Sequence, residues 1–287
     1  MAAKPGPVLV TGANSGIGLA TTLRLADRGW EAWGTVRSKT KGKALTDAAE
    51  HAGVADLVKP LVLDVSNHDA VVARWPELPP FYGVVNNAGY SELGAVEEVT
   101  ARQARAQLDI NVVAPAVVSS CALPAMRERG SGRIVMVSSI AGRAAFMPLN
   151  GWYHASKFAL EALSDVLRIE VAGFGVKVSI VEPGFFKTGI EGRAREAAGE
   201  ASEASPYRTA YKRAARALDA IERLAPVPEI VARVIVSAIE STWPRHRYLV
   251  GADAMSVALT HPLTPRSVTD AAARLFSGLG GRPETFA

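Results

Sequence analysis

Short apolar segments alternate along this chain with longer segments of helical periodicity, and this alternation constrains the fold more than any other feature of the sequence. Apolar runs of this length are typical of strands buried on both faces of a parallel sheet. Seven segments are predicted as strands: Pro7–Thr11, Glu31–Val36, Leu57–Asp64, Gly83–Asn87, Arg133–Ser138, Val176–Val181 and Arg247–Val250. In such sheets, ligands bind beyond the carboxyl ends of the strands.

The segments between these strands carry the signals of crossover helices. Residues 18–28 have helical spacing and are followed by Gly29, and residues 152–174 are followed by Gly175. Glycine is preferred just beyond the last residue of a helix, because it adopts the left-handed conformation at little steric cost. The alternation therefore predicts an α/β fold with a doubly wound parallel sheet.

Composition, the N-terminal residues and the longest apolar stretch argue against several classes of protein. With 48% apolar and 21% charged residues, the chain is expected to be globular. Residues 1–7 run straight into the first strand, so no signal peptide is expected. The longest apolar stretch, 112–126, is shorter than the ~20 residues of a membrane span and contains Pro115 and Pro124. Cys121 is the only cysteine in the sequence, which fits a reducing cytoplasm.

The charge balance alone suits an anionic small molecule as well as a nucleic acid, and the arrangement of the basic residues is more informative. The chain has 32 basic and 28 acidic residues, which gives a net charge of +4. Its densest basic cluster, residues 37–43, has no interleaved aromatic residues on which bases could stack, so no nucleic-acid partner is predicted. The histidines lack the spacing of metal ligands, and no metal is predicted.

A glycine-rich turn joins the first strand to the first helix. Gly12 allows a tight turn, Gly16 lets the backbone approach a pyrophosphate, and Gly18 permits close packing of helix on strand. The helix N-terminus adds unpaired N–H groups that attract an anion. The alternative is a tight turn that binds nothing. We expect a dinucleotide site that includes Gly12, Asn14, Ser15, Gly16, Ile17 and Gly18.

The residues after the second strand indicate which dinucleotide is bound. An acidic side chain there would hold the ribose 2′-hydroxyl of NAD, but the chain has Arg37 and Ser38, which suit the 2′-phosphate of NADP. NADP is therefore predicted, with a solvated loop arginine as the alternative. Asp64 and Val65 follow the third strand and are expected near the adenine, although Asp64 could instead cap the next helix.

Tyr153 and Lys157 lie four residues apart in a predicted helix, so their side chains share one face. A phenol titrates near pH 10, and an ammonium group ~4 Å away stabilises the phenolate by about 4 kcal/mol at an effective dielectric of ~20. The spacing alone occurs by chance in many helices. Ser138 and Ser139 end the fifth strand and place hydroxyl groups at the same edge of the sheet. Tyr153 is thus a candidate general acid or base.

With the segment 86–89 (Asn-Asn-Ala-Gly) and Asn111 added, the chain resembles the short-chain dehydrogenase/reductase family over about residues 7–190 and 226–251. The resemblance implies a Rossmann-like fold with strand order 3-2-1-4-5-6-7. It implies four catalytic residues, namely Asn111, Ser139, Tyr153 and Lys157. It implies further cofactor contacts from Asn87, Ala88, Gly89, Tyr153, Lys157, Pro183, Gly184, Phe186 and Thr188. Ser139 and Tyr153 are one residue further apart than in many members, so Ser138 remains the alternative.

Within the family, the segments around Ser139, Lys157 and Glu182 are similar to the branch of 17β-hydroxysteroid and retinol dehydrogenases. Apolar side chains near the catalytic positions could line a substrate pocket or could pack within their loops. The residues expected to contact substrate are Ser139, Phe146, Met147, Trp152 and Phe185. His154 is expected to be a packing or surface residue.

The chain is predicted to be one domain with three parts. Residues 7–187 form the cofactor-binding and catalytic core, 188–226 form a helical lid over the substrate, and 227–287 hold a helix, the last strand and a tail. The lid prediction comes from the lack of a strand pattern in a segment rich in Ala, Glu, Ser and Arg. No linker divides these parts.

The sequence therefore predicts an NADP-dependent oxidoreductase that interconverts a ketone or aldehyde and an alcohol, on a hydrophobic substrate. Ser139 would orient the carbonyl, Tyr153 would transfer the proton, and Lys157 would lower the Tyr153 pKa. The resemblance adds a water chain anchored by Asn111, and a homodimer or homotetramer. Two alternatives stay open: a sugar-nucleotide epimerase and a nucleotide-sensing protein without catalysis.

Overall fold

A computed structural model of the chain describes residues 6–188 and 205–279, without the side chains of residues 221 and 222. Its centre is one sheet of seven parallel strands in the order β3-β2-β1-β4-β5-β6-β7, as predicted. The strands are β1 (Val8–Val10), β2 (Ala32–Val36), β3 (Val58–Val62), β4 (Gly83–Asn86), β5 (Gly132–Val137), β6 (Val176–Pro183) and β7 (Arg247–Val250).

The strand register brings the carboxyl ends of the central strands to one edge. Leu9 of β1 pairs with Trp33 on one side and with Val84 on the other, all three strands running parallel. Every residue of β5 is buried, because helices cover both faces of the sheet. The order reverses between β1 and β4, and this switch point is where a doubly wound sheet binds its ligand.

Ten helices are assigned in the described residues, and most of them connect the strands. They are α1 (Gly16–Asp27), α2 (Lys39–His51), α3 (His68–Arg74), α4 (Ala101–Leu108), α5 (Ala114–Arg129), α6 (Gly151–Glu170), α7 (Arg208–Leu224), α8 (Glu229–Glu240), α9 (Ala252–Thr260) and α10 (Arg266–Ser277). Helices α1, α2 and α8 pack on one face of the sheet, where Leu25, Leu45 and Ile235 are buried. Helices α3, α5 and α6 pack on the other, where Val71, Val118 and Leu160 are buried.

The helical segment that carries Asn111 begins ahead of the apolar stretch 112–126. Thr100 caps α4 in a reciprocal capping box with Gln103, and α4 continues through a π-helical turn, Asp109–Val113, into α5. The whole segment, Ala101–Arg129, is long and apolar enough to cross a membrane by length and composition alone. Its apolar side is packed on the sheet, as expected of a core helix, so this is weak evidence for a span.

The region predicted as a lid is only partly described. Residues 189–204, including Arg193 and Arg195, lie outside the described residues, and the part from 205 onward contains the helix α7. The tail that carried no clear signal in the sequence forms α9 and α10. Predicted strand ends differ from the observed ones by at most two residues, because pairing across the sheet decides where a strand stops.

Candidate active site

The glycine turn adopts the backbone conformations that its sequence requires. Gly12 and Gly16 have positive φ angles of 69° and 53°, a region that side-chain-bearing residues rarely adopt. A Cβ atom on Gly18 would lie 2.2 Å from the carbonyl oxygen of Gly12. The absence of that atom lets α1 begin directly against the end of β1. The Ser15 side chain makes no capping hydrogen bond to α1. The first N–H groups of a helix have no partner within the helix, so they are available at the glycine turn.

Three polar side chains hold the turn against the neighbouring strands. The Gly12 N–H donates to Thr35 Oγ1 of β2 at 3.1 Å. Thr11 Oγ1 accepts from the N–H groups of Asn87 and Ala88, each at 2.9 Å. The Asn87 amide in turn donates to the Thr11 carbonyl at 3.0 Å. These bonds join the ends of β1, β2 and β4, and Thr35 was not predicted from the sequence.

A cavity of about 530 Å³ lies beyond the carboxyl ends of these strands. Most of the predicted cofactor residues line it: Gly12, Asn14, Ser15, Ile17, Arg37, Asp64, Val65, Asn87, Ala88, Gly89 and Thr188. Gly16 shapes the turn and packs against Thr188, since a Cβ there would lie 2.8 Å from the Thr188 carbonyl oxygen. A cradle of glycines, helix N–H groups and a basic side chain fits a dinucleotide pyrophosphate.

Ser38 has a role in the fold that the sequence did not indicate. Ser38 is the N-cap of α2, where its hydroxyl accepts from the Lys41 N–H at 3.3 Å, and it is not among the described residues that line the cavity. Helix capping competes for the same side chain. Lys41 lines the cavity beside Arg37 and was missed, although it belongs to the basic cluster that the sequence displays.

Asp64 lines the cavity and does not cap the following helix. Its Oδ1 accepts from the N–H and the hydroxyl of Ser66, at 3.0 Å and 2.8 Å. The side chain of Asn67 caps α3 instead, through the N–H of Ala70. The alternative role considered for Asp64 is therefore filled by a different residue.

A second cavity of about 160 Å³ adjoins the first and holds the candidate catalytic residues. It is lined by Ser138, Ser139, Tyr153 and Lys157, and by Ile17, Asn87 and Thr188 of the first cavity. Lys157 Nζ donates to the Val137 carbonyl at 2.9 Å and lies 5.7 Å from the centre of the Tyr153 ring. Burial lowers the pKa of Lys157 to about 8, while the charge of Glu161 raises it.

The two adjacent serines have different surroundings. Ser139 Oγ donates to the Pro183 carbonyl at 3.5 Å and accepts from the Ala141 N–H at 3.2 Å. Ser138 lies beside Glu161, where its hydroxyl lowers a carboxyl pKa that burial raises. Ser139 thus sits at the loop that begins the cavity wall, whereas Ser138 contacts the charged groups behind it.

Asn111 lies in the π-helical turn between α4 and α5. Its amide donates to the Tyr90 carbonyl at 3.0 Å and to Ser156 Oγ at 2.9 Å, and its Oδ1 accepts from the Tyr90 N–H at 3.1 Å. The side chain therefore holds the loop after β4 to α6, next to Lys157. A π-helical turn often marks a functional position, because it redirects one side chain out of the helical ladder.

The predicted substrate residues divide into two groups. Phe146, Met147 and Phe185 line the catalytic cavity together with Ser139. Trp152 is not among the described residues that line it, so its predicted contact with the substrate finds no support in this cavity. Tyr153 faces the cavity, and successive residues of a helix point about 100° apart, so Trp152 is directed elsewhere. Phe186, predicted as a cofactor contact, lines the catalytic cavity from the core and is almost fully buried.

A comparison with protein families identifies the chain. A sequence profile described as short chain dehydrogenase matches residues 7–199, which is more than half of the chain. The chain belongs to the short-chain dehydrogenase family. Dehydrogenases of this family are oxidoreductases that act on CH–OH groups and use NAD or NADP, and this activity is the one that the chain carries.

Relatives extend the similarity over almost the whole chain. Retinol dehydrogenase 16 of Rattus norvegicus is 31% identical over 96% of this chain and 89% of its own length. The NADPH-dependent 3-dehydrocapnine reductase of Ornithobacterium rhinotracheale is 30% identical over 91% of this chain and 94% of its own. The crystal structure of a short-chain dehydrogenase from Streptomyces avermitilis, 31% identical, matches with a TM-score of 0.74 over 98% of this chain and 100% of that one. These similarities support the predicted family and its retinol dehydrogenase-like branch.

In this short-chain dehydrogenase, His154, which was expected to be a packing or surface residue, is a packing residue beside the catalytic cavity. His154 is buried, its Nδ1 lies 2.9 Å from the Ala141 carbonyl, and its Nε2 accepts from the Met147 N–H at 3.4 Å. Burial lowers the pKa of His154, which favours the neutral ring that can make both bonds. His154 therefore fixes the loop that carries Phe146 and Met147.

Asp253, at the start of α9, fixes the other wall of the catalytic cavity. Its Oδ2 accepts from the Phe185 N–H at 2.7 Å. A Cβ on Gly184 would lie 2.1 Å from the same oxygen, so only glycine at this position allows the contact. An acidic residue in the first turn of a helix after Gly251 was the available sequence signal. Among residues 6–188 and 205–279, no cluster suited to a metal ion is found.

Proposed function

We propose that this chain is an NADP-dependent oxidoreductase that interconverts a hydrophobic ketone or aldehyde and its alcohol. The observation that carries the proposal is the meeting of Ser139, Tyr153 and Lys157 in one largely apolar cavity. That cavity shares Ile17 and Thr188 with the dinucleotide cavity, so a cofactor bound in one reaches the reacting groups of the other.

The preference for NADP rests on charge. Arg37 and Lys41 line the dinucleotide cavity beyond the end of β2, where an acidic residue would favour NAD. An arginine can pair with a 2′-phosphate through two parallel hydrogen bonds. One relative, the reductase of Ornithobacterium rhinotracheale, is named NADPH-dependent. Asp64 and Val65 line the same cavity and would contact the adenine.

The other residues that line the two cavities would hold the pyrophosphate and the nicotinamide of the cofactor. The pyrophosphate would lie on the turn formed by Gly12, Asn14 and Ser15, at the N-terminus of α1. Thr188, Pro183 and Gly184 line the catalytic cavity and would hold the nicotinamide end. The bound nicotinamide supplies or accepts the hydride at the carbon of the reacting group.

In the reaction, the side chains of this chain orient the carbonyl and move one proton. The Ser139 hydroxyl donates to the carbonyl oxygen and fixes its direction. The Tyr153 hydroxyl gives its proton to that oxygen in reduction and takes it back in oxidation. The charge of Lys157, held in a buried position near the Tyr153 ring, stabilises the phenolate that this transfer leaves. The Asn111 amide holds the loop at Tyr90 against Ser156 of α6, next to the catalytic residues.

The substrate is proposed to be apolar because Phe146, Met147 and Phe185 surround the catalytic hydroxyls. The rat relative is named a retinol dehydrogenase, which supports an alcohol of this kind. A location in the cytoplasm and the division into a core, a lid and a C-terminal part remain proposals.

A homodimer or homotetramer is also proposed. Phe158, Val166 and Ile169 lie along one side of α6, and 42%, 55% and 67% of their surfaces are exposed. An exposed apolar stripe of this kind is typical of a surface that a second copy covers. Sedimentation measurements would determine the oligomeric state.

The test is an assay of purified protein with a panel of ketones, aldehydes and alcohols, each with NADP(H) and with NAD(H), followed by cofactor absorbance. We expect turnover of apolar substrates with NADP(H), and its loss in Tyr153→Phe, with cofactor affinity retained within a few-fold. Cofactor binding without any turnover would favour the nucleotide-sensing alternative. Inversion of a sugar nucleotide without net redox change would favour the epimerase.

A further inference from the structure

A third cavity, of about 430 Å³, lies on the outer side of the catalytic cavity. We call it the outer chamber, and we call the catalytic cavity the inner chamber. The loop 146–149 and the helices α7, α9 and α10 form its walls. The last two helices belong to the tail of the chain, for which the sequence indicated no function.

The two chambers adjoin and share part of their walls. Phe146, Met147 and Pro148 line both of them from one side, and Ala214 and Ala217 of α7 line both from the other. Ala214 and Ala217 lie nearly one turn apart on the same helix and have the smallest side chain other than glycine. All the residues that the two walls share are apolar, so a substrate that reaches from Ser139 and Tyr153 into the outer chamber would pass between apolar side chains.

The inner chamber has little room for a substrate, because the end of the dinucleotide must also enter it. Its volume is about 160 Å³, and residues of the dinucleotide cavity, Ile17 and Thr188, form part of its wall. Sites for small organic ligands commonly have volumes of about 300–1,000 Å³. The outer chamber alone falls within this range at about 430 Å³. Among residues 6–188 and 205–279, room for most of an apolar substrate thus lies beyond Met147.

The wall of the outer chamber has the chemistry of a site for an uncharged chain. Its largest apolar side chains are Phe146, Met147, Leu149 and Phe276. Arg213 also lines the outer chamber, and its guanidinium donates a hydrogen bond to the Leu275 carbonyl at 2.9 Å. This bond joins α7 to α10. No acidic residue is among the described residues that line it. Binding there would be driven by the burial of apolar surface.

We propose that the outer chamber binds the distal part of the substrate, and that the substrate is a long-chain aliphatic aldehyde or alcohol with its reacting group at one end. The inference rests on the proposed function, since the reacting end lies at Ser139 and Tyr153. The chain passes between Met147 and Ala214, and its far end lies against α10. The C-terminal helices therefore determine which chain lengths are accepted.

The first experiment measures reduction of linear aldehydes of about four to about fourteen carbons with NADPH. In the wild type, kcat/KM is expected to rise about two- to fourfold with each added methylene until the outer chamber is filled. Ala273→Trp fills the outer chamber from α10 without touching the inner one, and it should lower the ratio of kcat/KM for long to short aldehydes at least about tenfold. Ala271→Trp is the control, since Ala271 is exposed on the same helix and lines neither chamber.

The second experiment separates a failure of this inference from a failure of the proposed reaction. Binding of 1-decanol to the wild type and to both tryptophan variants is followed by calorimetry, without cofactor turnover. If no aldehyde is reduced, the proposed reaction is wrong, but binding of 1-decanol that is at least about tenfold weaker in Ala273→Trp alone still supports the chamber. Equal binding by all three proteins, or a wild type with no dependence on chain length, would overturn the inference.

Discussion

Glu161 lies one helical turn after Lys157 on α6, and its charge raises the pKa of the Lys157 ammonium, which burial lowers to about 8. Both side chains are buried. Arg247 of the edge strand β7 balances the carboxylate, since it forms ion pairs with Glu161, Asp165 and Glu182. A charged cluster thus lies behind the catalytic residues and sets the protonation of Lys157.

Replacing Glu161 with Gln should shift the alkaline limb of activity to lower pH. The substitution removes the negative charge that raises the pKa of Lys157, so the ammonium loses its proton at a lower pH. A profile of kcat/KM against pH measures this. Asp165→Asn is the control, because Asp165 also pairs with Arg247 but lies nearer the surface. Superimposable profiles for the wild type and Glu161→Gln would exclude this coupling.

The free energy of unfolding should depend on pH through Lys157. The unfolded chain holds this proton up to about pH 10.5, whereas the folded protein releases it near pH 8. Between these values the unfolded state binds more protons, so stability rises with pH, by roughly 3 kcal/mol in total. The free energies of unfolding of the wild type and of Lys157→Met, measured in urea and plotted against pH, should therefore diverge in this window and run parallel below it. Parallel curves throughout would mean that burial does not shift the Lys157 pKa.

The two serines should differ in their effect on turnover. Ser139→Ala is expected to reduce kcat by about 10²–10³, the usual cost of losing one aligned donor. Ser138→Ala should reduce it much less, because the Ser138 hydroxyl interacts with the carboxyl group of Glu161, although the residue also lines the cavity. Steady-state kinetics with a common substrate compares them directly. A larger loss in Ser138→Ala would transfer the orienting role to that residue.

Arg37→Ala should weaken NADP binding about ten- to a hundredfold and leave NAD binding nearly unchanged. The reason is the loss of a charged contact with the 2′-phosphate at the cavity wall. Fluorescence titration with each cofactor gives both affinities. Lys39→Ala is the matched control, because Lys39 is exposed nearby and does not line the cavity. If the wild type binds both cofactors equally, the NADP assignment is wrong.

Gly18→Ala should destabilise the protein by about 1–3 kcal/mol and weaken dinucleotide binding. The added Cβ would lie 2.2 Å from the Gly12 carbonyl oxygen, so α1 must move away from the turn. Gly173→Ala is the control, since a Cβ there meets nothing within 4 Å. Urea unfolding measures both variants. Equal stability of the two would show that the turn tolerates the displacement.

The local sequence pattern was sufficient to predict the strands, the glycine turn and the pairing of Tyr153 with Lys157. Strand periodicity, the conformational freedom of Gly12 and Gly16, and the spacing of residues on a helix are properties of short segments, so they can be read without knowing what packs against them. The same holds for the strand order, which follows from the family resemblance that these motifs carry. Sequence alone thus determined the fold class and the central catalytic residues that we propose.

Contacts between distant segments decided the rest. Trp152 is not among the described residues that line the catalytic cavity, although its neighbour Tyr153 is, and the Ser38 hydroxyl caps α2. Asp253 holds Phe185 from 68 positions further along the chain, and the outer chamber exists because α9 and α10 pack beside α7. Such contacts join residues with no periodic relation in sequence. They are fixed only when the whole chain packs, because side-chain packing and hydrogen bonding depend on three-dimensional neighbours.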